Sequence, residues 1–164
     1  MNGNKTWKIA EPASTPTQGP PDVSNRILLV DDDTSIRSLS AHVLTTSGYQ
    51  VDTAEDGAGG WEALHASNYD LLITDHNMPK VTGVELVRKL RSARMTLPVV
   101  LTTGTVPAEA LSRPSLRLAA TLLKPFTMEE LLQTVERVLR AAAGVSGRAV
   151  YSPATTAALP GPQI

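Results

Sequence analysis

Residues 71–79 read LLITDHNMP and residues 26–32 read RILLVDD, so in both stretches a run of apolar residues ends in aspartate. A short continuous apolar run is typical of a strand that is buried on both faces of a parallel sheet. An aspartate directly after such a run lies at the carboxyl end of its strand, where open parallel sheets bind ligands. The two stretches therefore predict a parallel sheet that brings Asp31, Asp32 and Asp75 to one edge.

Two further apolar runs end in polar residues of other types. Residues 99–101 lead into Thr102 and Thr103, and residues 122–123 lead into Lys124, which precedes a proline. If these runs are also buried strands, a hydroxyl group and an ammonium group join the three carboxylates at the same edge of the sheet. The combination predicts a site for a divalent cation and a phosphoryl group.

Segments with helical periodicity alternate with the apolar runs. The predicted strands are residues 26–30, 50–54, 70–74, 99–102 and 120–123. The helical segments begin near residues 33, 58, 83, 106 and 127, and the fourth is expected to be short or irregular because Pro114 would break it. Alternating strands and helices predict an α/β fold with helices on both faces of a parallel sheet. The second strand alternates apolar and polar residues like an edge strand, which fits a flavodoxin-like (βα)5 doubly wound sheet of order 2-1-3-4-5.

Local signals predict where the first and last helices begin. Asp33 or Thr34 is a candidate N-cap for the first helix, and Thr127 with Glu130 forms a candidate capping box for the last. The first helix carries one apolar face, which is expected to pack on the sheet and consists of Ile36, Leu39, Val43 and Leu44.

Composition indicates one domain between two polar tails. The chain has 164 residues, of which 41% are hydrophobic, and this is enough for one ordinary core. Residues 1–24 are rich in proline and polar residues and predict a disordered arm, whereas residues 142–164 predict a disordered tail rich in alanine, proline and glycine. Residues 25–141 then form the domain, and no output domain is expected in the segment that follows.

Charge and cysteine content exclude several classes of function. The formal net charge is −1, so the sequence predicts neither direct binding to nucleic acid nor binding to a membrane surface. The chain has no cysteine, which excludes disulfides and thiolate metal sites. No long apolar segment predicts secretion or membrane insertion, and a cytoplasmic location is therefore expected.

The predicted cluster of carboxylates requires a compensating cation. Three carboxylates in close proximity repel one another, and a shared cation relieves that repulsion. Mg²⁺ prefers hard oxygen ligands and keeps several water molecules, which leaves room for a phosphate oxygen. A carboxylate can also act as a nucleophile toward phosphorus, and a lysine can neutralise charge on a phosphoryl group.

Four of these stretches resemble the signature of response-regulator receiver domains in two-component signalling. They are residues 29–33 (LVDDD), 73–79 (ITDHNMP), 102–104 (TTG) and 123–126 (LKPF), within a resemblance that covers about residues 25–141. The resemblance implies that Asp75 is the phosphoacceptor and that Asp31, Asp32 and Asp75, with the backbone carbonyl of Asn77, bind Mg²⁺. It implies that Thr103 and Lys124 contact the phosphoryl group, and that the bond between Lys124 and Pro125 is cis.

The resemblance also implies a role and a set of partners. A stand-alone receiver takes its phosphoryl group from a sensor histidine kinase or a histidine phosphotransfer protein, and then changes its contacts with a downstream protein. It is a self-modifying switch with slow dephosphorylation and not an enzyme in the ordinary sense. One position departs from the family pattern, because Thr121 stands where an aromatic residue is common, three residues before Lys124.

Two other interpretations of the same residues stay open at the level of sequence. One is a pseudo-receiver, a binding module that is never phosphorylated. The other is a phosphatase similar to haloacid dehalogenases, which also uses an aspartate at a strand end together with Mg²⁺. Asp31 and Asp33 have the two-residue spacing of that motif, although stretch 75–79 has no place in it.

Overall fold

The computed structural model describes residues 24–146, with side chains as far as residue 144. The predicted arm, except its last residue Ser24, and most of the predicted C-terminal tail lie outside the described residues. Five strands alternate with five helices and one 3-10 turn. In chain order they are β1 (Arg26–Val30), α1 (Thr34–Thr46), β2 (Gln50–Ala54), α2 (Gly57–Ala66), β3 (Leu71–Asp75), α3 (Gly83–Ser92), β4 (Val99–Thr103), α4 (Ala108–Ser112), the 3-10 turn Pro114–Leu116, β5 (Ala120–Leu123) and α5 (Met128–Ser146).

All five strands are parallel and lie in the order β2-β1-β3-β4-β5, which confirms the predicted topology. The central strands β1, β3 and β4 are buried almost throughout, as their apolar sequences predict. Their side chains alternate between two apolar layers. One layer includes Leu28 and Leu72 of the strands, which pack against α2 and against Leu86 of α3. The other layer includes Ile27 of β1, which packs against α1 and against Val135 of α5.

Side-chain caps begin the helices that flank the site. The Asp33 carboxylate accepts hydrogen bonds from the backbone N–H groups of Ser35 and Ile36, which makes Asp33 the N-cap of α1. The predicted capping box of α5 is present, with the Thr127 N–H donating to the Glu130 carboxylate at 2.7 Å. The Glu130 N–H donates in return to the Thr127 hydroxyl at 3.1 Å.

Gly83 allows α3 to begin directly beneath the end of β3. A Cβ atom at this position would lie 2.3 Å from the backbone carbonyl oxygen of Asp75, so only glycine fits without a shift. Thr82, the residue before it, caps α3 through a capping box with Glu85. The sequence at 82–85 thereby fixes the loop that follows Asp75.

Strand and helix bounds shift by a residue in several places, and three details differ further from the sequence-based expectation. Leu39 is 52% exposed and does not pack on the sheet, because it lies where α1 borders the loop after β5 and no element among residues 24–146 covers it. Strand β3 extends through Asp75, because the ladder continues past its end with the His76 N–H donating to the Thr102 carbonyl at 2.8 Å. Helix α5 runs beyond residue 141 to Ser146, through three alanines that strongly favour helix.

The segment between β4 and β5 is short and irregular, as Pro114 predicts. Helix α4 has five residues and is followed at once by the 3-10 turn, within which Leu116 is the buried residue. No helix in the described part of the chain is long and apolar enough to span a membrane.

Candidate functional site

The three predicted carboxylates meet at the carboxyl end of the sheet. Asp31 and Asp32 follow β1 and Asp75 ends β3, and these two strands are neighbours in the parallel sheet. One carboxylate oxygen of each residue lies within 4.8 Å of the others. Asp31 and Asp75 are each only 3% exposed, whereas Asp32 reaches solvent. The site is therefore buried at Asp31 and Asp75 and open to solvent at Asp32.

Lys124 lies between the two buried carboxylates. Its Nζ atom is 2.9 Å from Asp75 Oδ1 and 3.2 Å from Asp31 Oδ2. The backbone fixes the position of the lysine, because the Lys124 N–H donates to the Thr103 carbonyl at 2.8 Å and so continues the ladder between β5 and β4. The bond between Lys124 and Pro125 is cis, as the resemblance implied.

Burial and charge oppose each other at these groups. Burial raises the pKa of the Asp31 carboxyl, and the Asp75 carboxylate raises it further. The Asp33 N–H and the Lys124 ammonium lower that pKa, but they do not outweigh burial. Burial alone would lower the pKa of Lys124, yet the Asp75 and Asp31 carboxylates raise it overall. The lysine is therefore held in its charged form, and the cluster favours the binding of a further cation.

Thr103 lies at the carboxyl end of β4, next to this cluster. It is fully buried, and its hydroxyl donates to the Thr105 carbonyl at 2.7 Å and accepts from the Thr105 N–H at 3.3 Å. Thr102, its neighbour, is opposite Asp75 in the pairing of β4 with β3. The hydroxyl predicted to contact a phosphoryl group is thus bonded here to the loop that leads to α4.

A comparison with known families decides what this arrangement is. The family described as the response regulator receiver domain matches residues 27–136, which is well over half of the chain. The chain belongs to the response regulator receiver family. The matched segment contains β2 to β5, all of β1 except Arg26, and all the predicted site residues.

Relatives and solved structures agree with this assignment. The transcriptional regulatory protein CusR of Escherichia coli is 36% identical over 124 residues, which cover 73% of this chain and 53% of CusR. The chemotaxis protein CheY4 of Vibrio cholerae has a TM-score of 0.65 and 34% identity over 70% of this chain and 98% of CheY4. The response regulator TrrA of Thermotoga maritima, solved in complex with Mg²⁺ and BeF, has a TM-score of 0.62 and 32% identity over 70% of this chain and 98% of TrrA. The receiver chain spans about half the length of the curated relatives it matches.

The donor set of the receiver domain fits Mg²⁺. Three carboxylate oxygens within a few ångströms are hard ligands on one side of the ion, and the exposed position of Asp32 leaves the other side to water. Asn77 lies in the loop after β3, and its carbonyl as a further ligand stays a prediction. The fit rests on the chemistry of the donors and on the burial of Asp31, which Lys124 and the Asp33 N–H compensate only in part.

One supporting residue of the receiver domain was missed by sequence analysis. The Arg37 guanidinium donates a hydrogen bond to the backbone carbonyl of Asp31 at 2.6 Å, while the Asp33 N–H donates to Asp31 Oδ1 at 2.8 Å. Both contacts hold the turn that aims Asp31 at the cluster. The position of Arg37 in the sequence could have indicated this role. A cation near the start of a helix is unfavourable unless it has a partner outside the helix.

Proposed function

We propose that this receiver domain accepts a phosphoryl group on Asp75 from a sensor histidine kinase or a histidine phosphotransfer protein. The observation that carries the proposal is the state of the Asp75 carboxylate, which is buried 2.9 Å from the Lys124 ammonium and accepts no hydrogen bond from any backbone N–H among residues 24–146. In contrast, Asp31 Oδ1 is already bonded to the Asp33 N–H. Of the two buried carboxylates, Asp75 is therefore the one with an oxygen available to attack phosphorus.

The transfer proceeds by in-line displacement at phosphorus. A carboxylate oxygen of Asp75 forms the new bond to phosphorus while the bond from phosphorus to the donor histidine nitrogen breaks, and the imidazole leaves with the electron pair. Lys124 neutralises charge on the equatorial oxygens, since its ammonium group already lies against Asp75. Attack by water on the acyl phosphate later releases inorganic phosphate and restores the carboxylate.

Asp31, Asp32 and Asp75, with the Asn77 carbonyl, would hold Mg²⁺ in this scheme. The ion supplies positive charge next to the phosphoryl oxygens when it is bound. The protein contributes by fixing its buried ligand Asp31 through Arg37 and Asp33. The carboxylates would otherwise repel both each other and an incoming phosphoryl group.

An apolar groove next to the site gives the phosphodonor a place to dock. The groove has a volume of about 520 Å³ and is lined by Ile36, Leu39, Phe126 and Met128 beside Lys124. A donor protein that covers this groove would bury the exposed side chain of Leu39 and bring its phosphohistidine to the rim of the site. The exposure of Leu39, which the sequence did not predict, supports this docking surface.

Phosphorylation would act on the loop after β4. The Thr103 hydroxyl would turn from the Thr105 carbonyl to a phosphoryl oxygen, which frees the start of the segment 104–119. That segment is the bistable element in this proposal, and a downstream protein partner would recognise its new arrangement. Thr121 is exposed on β5 and has no bulk to gate this movement, unlike the aromatic residue common at that position in the family.

Mass spectrometry after incubation with acetyl phosphate and Mg²⁺ tests the acceptor. We expect the mass of one phosphoryl group to be added to the wild-type chain and to be absent in Asp75→Ala. Asp70→Asn is the matched control, because Asp70 is an exposed carboxylate outside the cluster. A wild-type chain that gains no mass would overturn the proposal and favour a binding module, and multiple turnover of a small phosphomonoester would favour a phosphatase.

The partners are tested with beryllofluoride as a mimic of the phosphoryl group. We expect a pull-down with the beryllofluoride-bound chain to retain a protein that Asp75→Ala does not retain. Amide exchange of residues 104–119 should change when beryllofluoride and Mg²⁺ are added together. Unchanged exchange in that segment would contradict the proposed switch while leaving the acceptor chemistry intact.

A further inference from the structure

A second cavity lies at the opposite edge of the sheet from the carboxylate cluster. It has a volume of about 710 Å³ and opens between the end of α3, the loop before β4 and the turn Pro114–Leu116. Pro98 lines it just before the first residue of β4, whereas Thr103 ends that strand at the phosphoryl site. The five residues of β4 therefore place this cavity about 16 Å from the phosphoryl site.

Arg91 builds the wall of this cavity. Its guanidinium group is half-buried and donates hydrogen bonds to the carbonyls of Leu116 at 2.9 Å, Met95 at 2.8 Å, Leu97 at 2.8 Å and Arg117 at 3.0 Å. These four bonds tie α3, the loop and the 3-10 turn together. The cavity is therefore fixed in shape by a residue that already uses four of its five donors.

Two other arginines that line the cavity form no ion pair with any carboxylate among residues 24–146. Arg94 and Arg117 are exposed, and neither lies within ion-pair distance of a carboxylate among residues 24–146. Arg88 lines the same cavity, but it is paired with Glu109. A pair of free guanidinium groups around one concave space favours an anion with more than one oxygen.

The backbone at both arginines is strained. Arg94 has φ of 60° and Arg117 has φ of 46°, so both occupy the left-handed region in which glycine is the least costly residue. Arg94 follows the C-cap of α3 and Arg117 is the C-cap of the turn Pro114–Leu116, so each arginine ends a helical segment at the cavity. The two helix ends thereby bring both guanidinium groups to the same cavity.

We propose that this cavity binds a phosphorylated small molecule of the nucleotide class. The phosphate groups would bridge Arg94 and Arg117, whose planar guanidinium groups match pairs of phosphate oxygens. The ring would lie over the apolar floor of Met95, Pro98 and Leu116. The volume lies within the range of small-molecule sites, and a floor without charge suits a heterocycle better than an acidic peptide.

Binding of a fluorescent N-methylanthraniloyl derivative of ATP to the full chain tests the proposal. The titration is done in EDTA, so that no metal bridges the nucleotide to the carboxylate cluster. We expect saturable binding that unlabelled ATP displaces and that inorganic pyrophosphate displaces at least roughly tenfold less well, because pyrophosphate lacks the ring. No saturable binding, or equal displacement by pyrophosphate, would overturn the nucleotide assignment.

Three variants separate the site from general charge and from folding. Arg94→Gln and Arg117→Gly should each weaken binding by roughly 10- to 100-fold, which is the loss expected for charge-assisted contacts to phosphate. Arg113→Gln removes the same charge from an exposed position that does not line the cavity, and it should bind like wild type. An equal loss in Arg113→Gln would show non-specific attraction and refute the site.

Arg117→Gly also carries an internal control for folding. Glycine relieves the left-handed strain at this position, so the melting temperature should stay the same or rise while binding falls. If binding and melting temperature fall together in this variant, the arginine is structural and the proposal is wrong.

Discussion

Substitution Gly83→Ala tests how closely the phosphoacceptor depends on its supporting helix. The added Cβ would lie 2.3 Å from the Asp75 carbonyl oxygen and 3.0 Å from the Asp75 carbonyl carbon. Protein Cβ atoms essentially never approach within 3.0 Å, so α3 and the end of β3 must separate by at least 0.7 Å, the difference between 3.0 and 2.3 Å. Overpacking of this kind costs about 3 kcal/mol at the upper end, and alanine returns up to about 1 kcal/mol in helix propensity. The net expectation is a loss of about 2 kcal/mol in the free energy of unfolding.

Equilibrium unfolding in urea, followed by circular dichroism, measures this loss as a lower midpoint. Gly59→Ala is the matched control, because it also lies in the first turn of a helix but would place its Cβ 3.5 Å from the nearest atoms. We expect it to be neutral or up to about 1 kcal/mol more stable. Because the clash is with the backbone of Asp75, Gly83→Ala should also be phosphorylated more slowly by acetyl phosphate. A Gly83→Ala protein with an unchanged midpoint and labelling rate would refute the reasoning.

Four further predictions concern the site itself. Asp31→Asn should raise the melting temperature of the metal-free protein at neutral pH and abolish its stabilisation by Mg²⁺. The direction of this change follows from the pKa of Asp31, which burial raises in the folded protein. A carboxyl group whose pKa is raised by folding stabilises the folded state at low pH, and this contribution is lost as pH rises through the raised pKa. In the wild type, the rise in melting temperature caused by Mg²⁺ should already become smaller on acidification at pH values above 3.8, the ordinary pKa of an aspartate. A rise in melting temperature that stays constant down to pH 3.8 would contradict this expectation. Lys124→Gln should slow phosphorylation at least roughly tenfold because it removes the cation that lies 2.9 Å from Asp75, while thermal stabilisation by Mg²⁺ persists. Thr103→Val should keep Mg²⁺ binding and labelling of Asp75 but lose the beryllofluoride-dependent change in amide exchange; a change of wild-type size would rule out the hydroxyl as the link.

The fold was predictable because its information is local. Apolar runs in β1, β3 and β4 specify strands buried on both faces, and the polar residue after each run marks the carboxyl edge. Parallel connections have one hand, and the edge pattern of the second strand fits the order β2-β1-β3-β4-β5 that the sheet has. The meeting of Asp31 with Asp75 then needs no further information, because neighbouring parallel strands end at the same edge.

Other features depend on contacts between segments that are distant in the chain. The exposure of Leu39 depends on the course of the loop after β5, and the role of Arg37 depends on the direction of the Asp31 carbonyl. The cavity lined by Arg94 and Arg117 forms only when Arg91 joins α3 to the 3-10 turn.

The sequence by itself determined the strand order and the identity of the residues at the carboxyl edge, because hydrophobic period and residue type are properties of single segments. The tertiary structure decided the distances that make these residues a site. Lys124 lies between Asp31 and Asp75 because the ladder between β4 and β5 extends to its N–H, and Thr103 is turned toward Thr105 because that loop supplies its partner. Such distances are set by packing among several elements, which no single segment encodes.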